Sequence, residues 1–328
     1  MEWQEKTVLL VGGTGSFGTN FLKLLLEKKP KAIRIFSRDE HKQSILLNNH
    51  SGVNLSGFIG DIREKSRLMM AMENVDIVVH AAALKQVQSC EYNPFETIKT
   101  NIIGSMNIIE CALAHNVEKV IAISTDKAVS PLNLYGATKM CMEKLFTNAN
   151  SYRGTKKKTK FCCTRYGNVV ASRGTIVPIW REKLAKKERI PITNQDATRF
   201  WVGIKEANQF VAECIDLMDF LSGGEIFVPH IPSVRVMDVF WALAGKNYPL
   251  EIIGDRVGDK LHETLILKEE APFTITMGNK YVVCPQAPRY RYEKPTGLKC
   301  PYTGGYTSDN NTRFLSVTEV QKTLEQNP

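Results

Sequence analysis

Tyr135 and Lys139, two side chains able to move a proton, stand four positions apart at the start of a helical pattern. A spacing of four places both on one helix face. An ammonium beside a phenol favours the phenolate and lowers the tyrosine's pKa. That makes Tyr135 a usable general base near neutral pH. Just upstream, Ser124-Thr125-Asp126-Lys127 adds hydroxyls, a carboxylate and a second amine in consecutive positions. Tyr-x-x-x-Lys alone is a common chance pattern on helix surfaces, and the bland reading of Asp126-Lys127 is a surface ion pair. Position argues otherwise. Val120-Ile121-Ala122-Ile123 is short, apolar and β-branched, so a buried strand. Strands of an open parallel sheet present chemistry beyond their C-terminal ends, and Pro131 marks the loop that follows.

The elements that must hold these groups come earlier. Lys6 to Val11 reads as a buried strand, followed by Gly12-Gly13-Thr14-Gly15-Ser16-Phe17-Gly18 and an apolar helix through Phe21-Leu22 and Leu24-Leu25-Leu26. Strand, glycine loop and helix together predict a dinucleotide site, with the pyrophosphate on the helix N-terminus. A second strand, Ala32 to Phe36, ends in Ser37-Arg38-Asp39, with Lys42 one turn on. A site selective for NAD places a carboxylate at that tip for the ribose 2′-hydroxyl. Here a hydroxyl and two cations suit a 2′-phosphate, so the cofactor is read as NADP. Asp39 is the acidic alternative if the strand ends later.

A third strand is expected over Phe58 to Ile62, with Asp61 and Ile62 meeting the adenine. A fourth runs from Val75 to His80 into Ala81-Ala82-Ala83, where small residues let a cofactor lie close. Lys85 follows near the active-site mouth, and Asn101 opens a helix over Ile102 to Ala114. The candidate cofactor contacts are Gly12, Thr14, Gly15, Ser16, Phe17, Gly18, Ser37, Arg38, Asp39, Lys42, Asp61, Ile62, Ala81, Ala82, Ala83, Lys85 and Asn101, with Tyr135 and Lys139. Alternating strands and helices predict an α/β chain with a doubly wound parallel sheet.

With 328 residues, 43% of them apolar, the chain can bury one large domain or two intimate ones. The net charge of +9 suits an anionic small-molecule substrate. Its densest run, Lys156-Lys157-Lys158 with Lys160, reads as a solvated loop rather than a nucleic-acid patch. No apolar run reaches spanning length and no signal peptide is read, so neither membrane nor nucleic acid is an expected partner. The eight cysteines form no C-x-x-C pair and the six histidines show no ligand spacing, so reduced cytoplasmic thiols are expected and no metal.

These motifs together resemble the extended short-chain dehydrogenase/reductase family. More narrowly the chain is similar to the inverting UDP-N-acetylglucosamine 4,6-dehydratases of the PseB type. The resemblance is carried by Gly13 to Gly18, Ala82-Ala83-Leu84-Lys85, Ser124 to Ala128, Pro131-x-Asn133-x-Tyr135-Gly136-Ala137-Thr138-Lys139, Arg165 to Val169, Ser172-Arg173-Gly174, Thr198 to Trp201, and Gly258 to Glu263. It runs from the first strand to Tyr306-Thr307-Ser308-Asp309. Ordinary sugar-nucleotide dehydratases carry Asp-Glu where this chain has Asp126-Lys127, and the lysine goes with inversion at C5. Val11 departs from the threonine usual in the family, a change of packing more than of chemistry.

The resemblance implies a Rossmann fold with a smaller interleaved substrate domain: residues 1–167 and 196–232 for NADP, 168–195 and 233–328 for the UDP-sugar. It implies catalysis by Thr125, Asp126, Lys127, Tyr135 and Lys139. Tyr135 takes the C4 hydroxyl proton, Thr125 bonds the developing carbonyl, Lys127 in neutral form removes the C5 proton, and Asp126 protonates the leaving C6 hydroxyl. The division among Asp126, Lys127 and Tyr135 stays open at this point. Lys85, Thr125, Asn168, Val169, Arg173, Thr193, Arg199, Arg256 and Glu263 are the implied substrate contacts, with Arg199 and Arg256 on the diphosphate and Glu263 on ribose hydroxyls. A homo-oligomer, dimer to hexamer, is implied as well. The rival readings are a retaining dehydratase or 4-epimerase of another nucleotide sugar, and a non-catalytic NADP-binding regulator.

Overall fold

The computed structural model describes residues 1–154, 158–170, 172, 174–256 and 258–327. The chain opens with β1 (Thr7–Val11), α1 (Ser16–Lys28), β2 (Ala32–Ser37), α2 (Glu40–Asn48), β3 (Leu55–Ile59), α3 (Lys65–Met72) and β4 (Ile77–His80). Short helices α4 (Val87–Tyr92) and α5 (Pro94–Ile98) lead through a π-helical turn, Lys99–Ile103, into α6 (Gly104–Ala114). Then come β5 (Lys119–Ile123), α7 (Leu134–Ala149) and β6 (Lys160–Thr164). The apolar β-branched runs are the buried central strands: every residue of β1 and β4 is buried, as parallel strands covered on both faces require.

The second half begins with β7 (Asn168–Val169), α8 (Ile176–Ala185), β8 (Ile190–Ile192), β9 (Thr198–Val202), α9 (Ile204–Leu217) and β10 (Ile226–Pro229). It continues with β11 (Ser233–Arg235), α10 (Val236–Ala244), β12 (Leu250–Ile252), β13 (Thr264–Ile266), β14 (Thr274–Met277), β15 (Lys280–Val283), β16 (Leu298–Lys299), β17 (Tyr306–Thr307) and α11 (Val317–Gln326). Among the described residues one sheet has ten strands in the order β16-β14-β15-β10-β6-β5-β4-β1-β2-β3. The strands from β3 to β10 in that order pair in parallel; β15, β14 and β16 are added antiparallel. The order reverses between β1 and β4, which opens the crevice expected for a dinucleotide. Smaller pairings join β11-β9-β7, β12-β8 and β13-β17. A second apolar cluster, including Trp180, Ile192, Trp201, Phe240 and Val320, sits apart from the core of the large sheet.

Several expected boundaries move. The third strand starts at Leu55 and stops at Ile59, so Gly60-Asp61-Ile62 lies beyond its end. It is an edge strand beside β2, and half-exposure hides its beginning from an apolar pattern. The helix expected from Asn101 starts at Pro94, where proline suits a first turn. Residues 274–299, expected with the second lobe, extend the large sheet instead. The terminal helix carries a full Ser316/Glu319 capping box and buries Val320 and Leu324 in the second cluster. Among the described residues no helix is long and apolar enough to cross a membrane.

Candidate active site

The turn after β5 builds the centre. Ser124 donates its amide to Thr164 O (2.7 Å) and Asp126 donates its amide to Tyr166 O (3.1 Å), so β6 continues to hold the chain past the strand end. Thr125 caps a single 3-10 turn, Asp126–Ala128, its hydroxyl accepting from Lys127 N (3.3 Å). Helix α7 then lays Gly136 directly on that turn: a Cβ there would stand 2.1 Å from Lys127 O. Asn133 caps α7 by accepting from Gly136 N (2.8 Å) and donates to Gly258 O (2.9 Å), fastening the following loop to the same helix.

These constraints bring together Thr125, Asp126, Lys127, Tyr135, Arg199 and Glu263. Asp126 is fully buried. Its Oδ1 accepts from Thr125 Oγ1 (2.9 Å) and Lys127 Nζ (3.1 Å), while Oδ2 is buried without a partner. Burial, reinforced by the Glu263 charge, raises the Asp126 pKa although Lys127 and Thr125 favour the anion. Burial thus shifts this carboxyl toward its acid form while it still pairs with the Lys127 ammonium. Lys127 Nζ also meets Glu263 Oε1 at 3.1 Å. Burial opposes the ammonium, yet Asp126 and Glu263 outweigh it and raise the Lys127 pKa above that of a free lysine. Glu263 in turn is held below the usual carboxylate range, since Lys127, Arg199 and Lys260 overcome the cost of its burial.

Two sequence expectations are corrected here. Lys127 is held as an ammonium, because two carboxylates grip it; the neutral amine is the minor form. The Tyr135 phenol stands above its ordinary value rather than below it, although the Lys127 cation acts to lower it. Burial pushes the Tyr135 phenol up to about 12, and the groups pulling it back are Lys127 and a hydrogen bond with Thr125. Lys139 is buried and donates to Ile123 O (2.6 Å) at the strand end. Burial lowers its pKa to about 8.

The first turn fits a dinucleotide. Gly12 has φ +84°, and a Cβ on it would stand 2.8 Å from Ala82 N, so the glycine loop lies against the small residues after β4. Gly15 caps α1 without any side-chain acceptor, which leaves the first-turn amides for an anion. Thr14 is buried, Ser16 half-buried, and Phe17 stacks on Phe21 at 5.2 Å. Gly18 is buried within the first turn of α1. Ala81 and Ala82 lie against the loop, with Ala83 half-buried and Lys85 exposed beyond them.

At the tip of β2 Ser37 is buried, and its hydroxyl accepts from Gln43 (2.9 Å). Gln43 also donates to Phe58 O (3.0 Å) and ties the tips of β2 and β3 together. A glutamine inside a charged helix gives no sequence signal of this. Arg38 projects outward with its Nη1 3.7 Å from Asp61. Asp39 is the N-cap of α2, accepting from Lys42 N (3.0 Å) and pairing with the Lys42 ammonium. Asp61 is held below the usual carboxylate range; burial opposes this, but Arg63 and Arg38 prevail. Ile62 is buried against Gly104. Asn101 is buried and clamps the loop after β4, donating to Leu84 O (2.9 Å) and Thr138 (3.0 Å) and accepting from Leu84 N (2.8 Å). Its amide positions that loop from the π-helical turn.

The remaining substrate candidates divide. Asn168 and Val169 pair with Trp201 and Val202 of β9. Arg199, on that strand, donates to Leu261 O (3.0 Å) and reaches the Lys127–Glu263 pair by its charge. Thr193 and Arg256 share a separate lip, since β8 pairs with β12 and Asn194 donates to Asp255 (3.3 Å). Arg173 lies outside the described residues, as do Lys156 and Lys157 of the basic run.

The arrangement resembles known sequences over its whole length. The chain is 43% identical over 325 residues to the UDP-N-acetylglucosamine 4,6-dehydratase (inverting) of Campylobacter jejuni subsp. jejuni serotype O:23/36 (strain 81-176), covering 96% of each chain. It is 39% identical over 334 residues to the UDP-glucose 4-epimerase of Rickettsia bellii (strain OSU 85-389), covering 98% of this chain and 95% of that one. Among solved structures, Pen from Bacillus thuringiensis superposes with a TM-score of 0.89 at 34% identity, over 99% of this chain and 98% of that one. A family model described as polysaccharide biosynthesis protein matches residues 8–285, and the chain belongs to that family, with the fold of the extended short-chain dehydrogenase/reductases.

Proposed function

We propose that the protein dehydrates UDP-N-acetylglucosamine across C4 to C6 with inversion at C5, giving UDP-2-acetamido-2,6-dideoxy-β-L-arabino-hexos-4-ulose. The observation that carries this reading is the pair of the half-buried Lys127 with the buried Asp126, beside Tyr135 at the end of β5. The Gly12 loop and the first turn of α1 would hold a nicotinamide dinucleotide, which would supply the hydride acceptor for C4 and the hydride donor for C6. Tyr135 accepts the C4 hydroxyl proton, assisted by Lys127 and Thr125, and the C4 carbonyl then acidifies C5–H. The amine form of Lys127 takes the C5 proton, and the acid form of Asp126 gives its proton to the departing C6 hydroxyl, which leaves as water. The 3.1 Å contact between Lys127 Nζ and Asp126 Oδ1 is a path for the captured proton to reset Asp126. A proton from solvent returned to the opposite face of C5 completes the L-arabino sugar.

The dinucleotide is read as NADP: Arg38 projects from the tip of β2, and the Asp39 carboxylate that would select a ribose hydroxyl is committed to capping α2. In this reading Arg199 on one side and Arg256 on the lip hold the diphosphate. All eight cysteines are free, which fits the reducing cytoplasm. The product stands at the head of a route to pseudaminic acid-type sugars, as the resemblance to inverting dehydratases implies. Exposed apolar side chains along α4 to α7, among them Tyr92, Phe95, Met106 and Met140, support a homo-oligomer. Incubation with UDP-N-acetylglucosamine and mass spectrometry tests the reading: loss of one water is expected. An unchanged mass with a new C4 epimer favours the epimerase named among the relatives and ends the dehydratase reading.

A further inference from the structure

Glu263, read from the sequence as a ribose contact, is 2% exposed in the structure. Its Oε1 stands 3.1 Å from the Lys127 ammonium, and its Oε2 is buried without a hydrogen bond, 3.7 Å from Lys260 Nζ. The backbone at this point is tied from two sides. Glu263 N donates to Ser308 Oγ (2.9 Å), Ser308 N donates to Glu263 O (2.8 Å), and Ser308 Oγ lies 3.1 Å from Thr198 O. Lys127 is therefore gripped by Asp126 from the turn after β5 and by Glu263 from the segment entering β13.

We propose that Glu263 is a positioning residue of the reaction: by pairing with Lys127 it fixes the place and the charge of the amine that serves C5. The proposal rests on the dehydration reading above. The charged and titratable groups facing the pair are Asp126 from the β5 turn, Tyr135 from α7, Arg199 from β9, and Lys260 from the loop before β13. Without the Glu263 charge, Lys127 keeps one carboxylate and still senses the Arg199 cation. Its proton becomes easier to remove, so the base needed at C5 is present at lower pH.

The test uses the full chain with cofactor, as wild type, Glu263→Gln and Glu263→Asp. Steady-state rates on UDP-N-acetylglucosamine are followed against pH. In parallel, heteronuclear NMR of lysine side chains follows the titration of Lys127, assigned by its loss in Lys127→Met. For Glu263→Gln the expected result is a KM within about threefold of wild type. The limb of kcat that rises with pH and the Lys127 titration both move down by about one pH unit or more. Glu263→Asp, which keeps the charge, stays nearer wild type on both. A KM raised about tenfold or more, with the kcat profile and the Lys127 titration unmoved, makes Glu263 a substrate contact and overturns the proposal. The NMR titration needs no turnover. A shifted Lys127 in a protein that leaves the sugar unchanged sustains the pairing and sinks the dehydration reading instead.

Discussion

Lys127 lies 3.1 Å from carboxylate oxygens of both Asp126 and Glu263, so the charge of each of the three groups bears on the others. An unpartnered, buried Asp126 Oδ2 beside a strongly held ammonium makes a proton donor next to a latent base. Tyr135 borders the same cation, which pulls the phenol part of the way back from the rise that burial causes. Replacing Tyr135 with Phe removes the acceptor of the C4 hydroxyl proton. A kcat lower by about 10²–10⁴-fold is expected, with nucleotide-sugar binding by calorimetry within about threefold of wild type; equal turnover would remove Tyr135 from the chemistry. The Tyr135–Lys139 spacing was legible because helical period alone sets it. Which cation faces the phenol was not, because that depends on the 3-10 turn that Gly136 packs against. Glu263 was legible as a motif residue, but its partner is 136 positions away in the chain, and no local pattern encodes that pairing.

Helix α7 and strand β6 are joined by a buried ionic triad. Arg165 Nη2 meets Glu143 Oε2 at 2.6 Å, and its Nη1 meets Glu270 Oε2 at 2.8 Å and Leu265 O at 2.8 Å. The triad holds α7, one turn past Lys139, against the strand whose end fixes Asp126. Breaking such a cluster on one side strands the remaining charges. Arg165→Met is expected to lower unfolding free energy by about 3–5 kcal/mol in chemical denaturation. Apolar replacement of Arg165, Glu143 and Glu270 together is expected to cost far less. A single variant as stable as wild type contradicts this role. Central strands were readable from sequence because burial on both faces leaves an unbroken apolar run, as in β1 and β4. Edge strand β3 and the helix entered at Pro94 were not, since half-exposed elements mix polar and apolar residues. The π-helical turn that aims Asn101 at Leu84 is a matter of helix geometry that composition does not record.

The switch between β1 and β4 places the glycine loop, the alanine run and the β5 turn along one crevice, to which β9 supplies Arg199 and the segment entering β13 supplies Glu263. The doubly wound order was legible from alternating strands and helices; the three antiparallel strands from residues 274–299 were not, because antiparallel additions leave no βαβ rhythm. Phe95 and Met106, 77% and 37% exposed, belong to the face proposed to join copies of the chain. Light scattering is expected to show an oligomer that Phe95→Glu with Met106→Glu dissociates; an unchanged particle mass places the contact elsewhere. The account as a whole rests on a lysine where retaining enzymes carry a glutamate. Its most direct test is proton NMR of UDP-N-acetylglucosamine turned over in deuterated water. The account predicts a 6-deoxy-4-keto sugar carrying deuterium at C5, with L-arabino couplings from the earliest spectra. The same sugar with D-xylo couplings at the earliest times would contradict it, and with it the role given to Lys127.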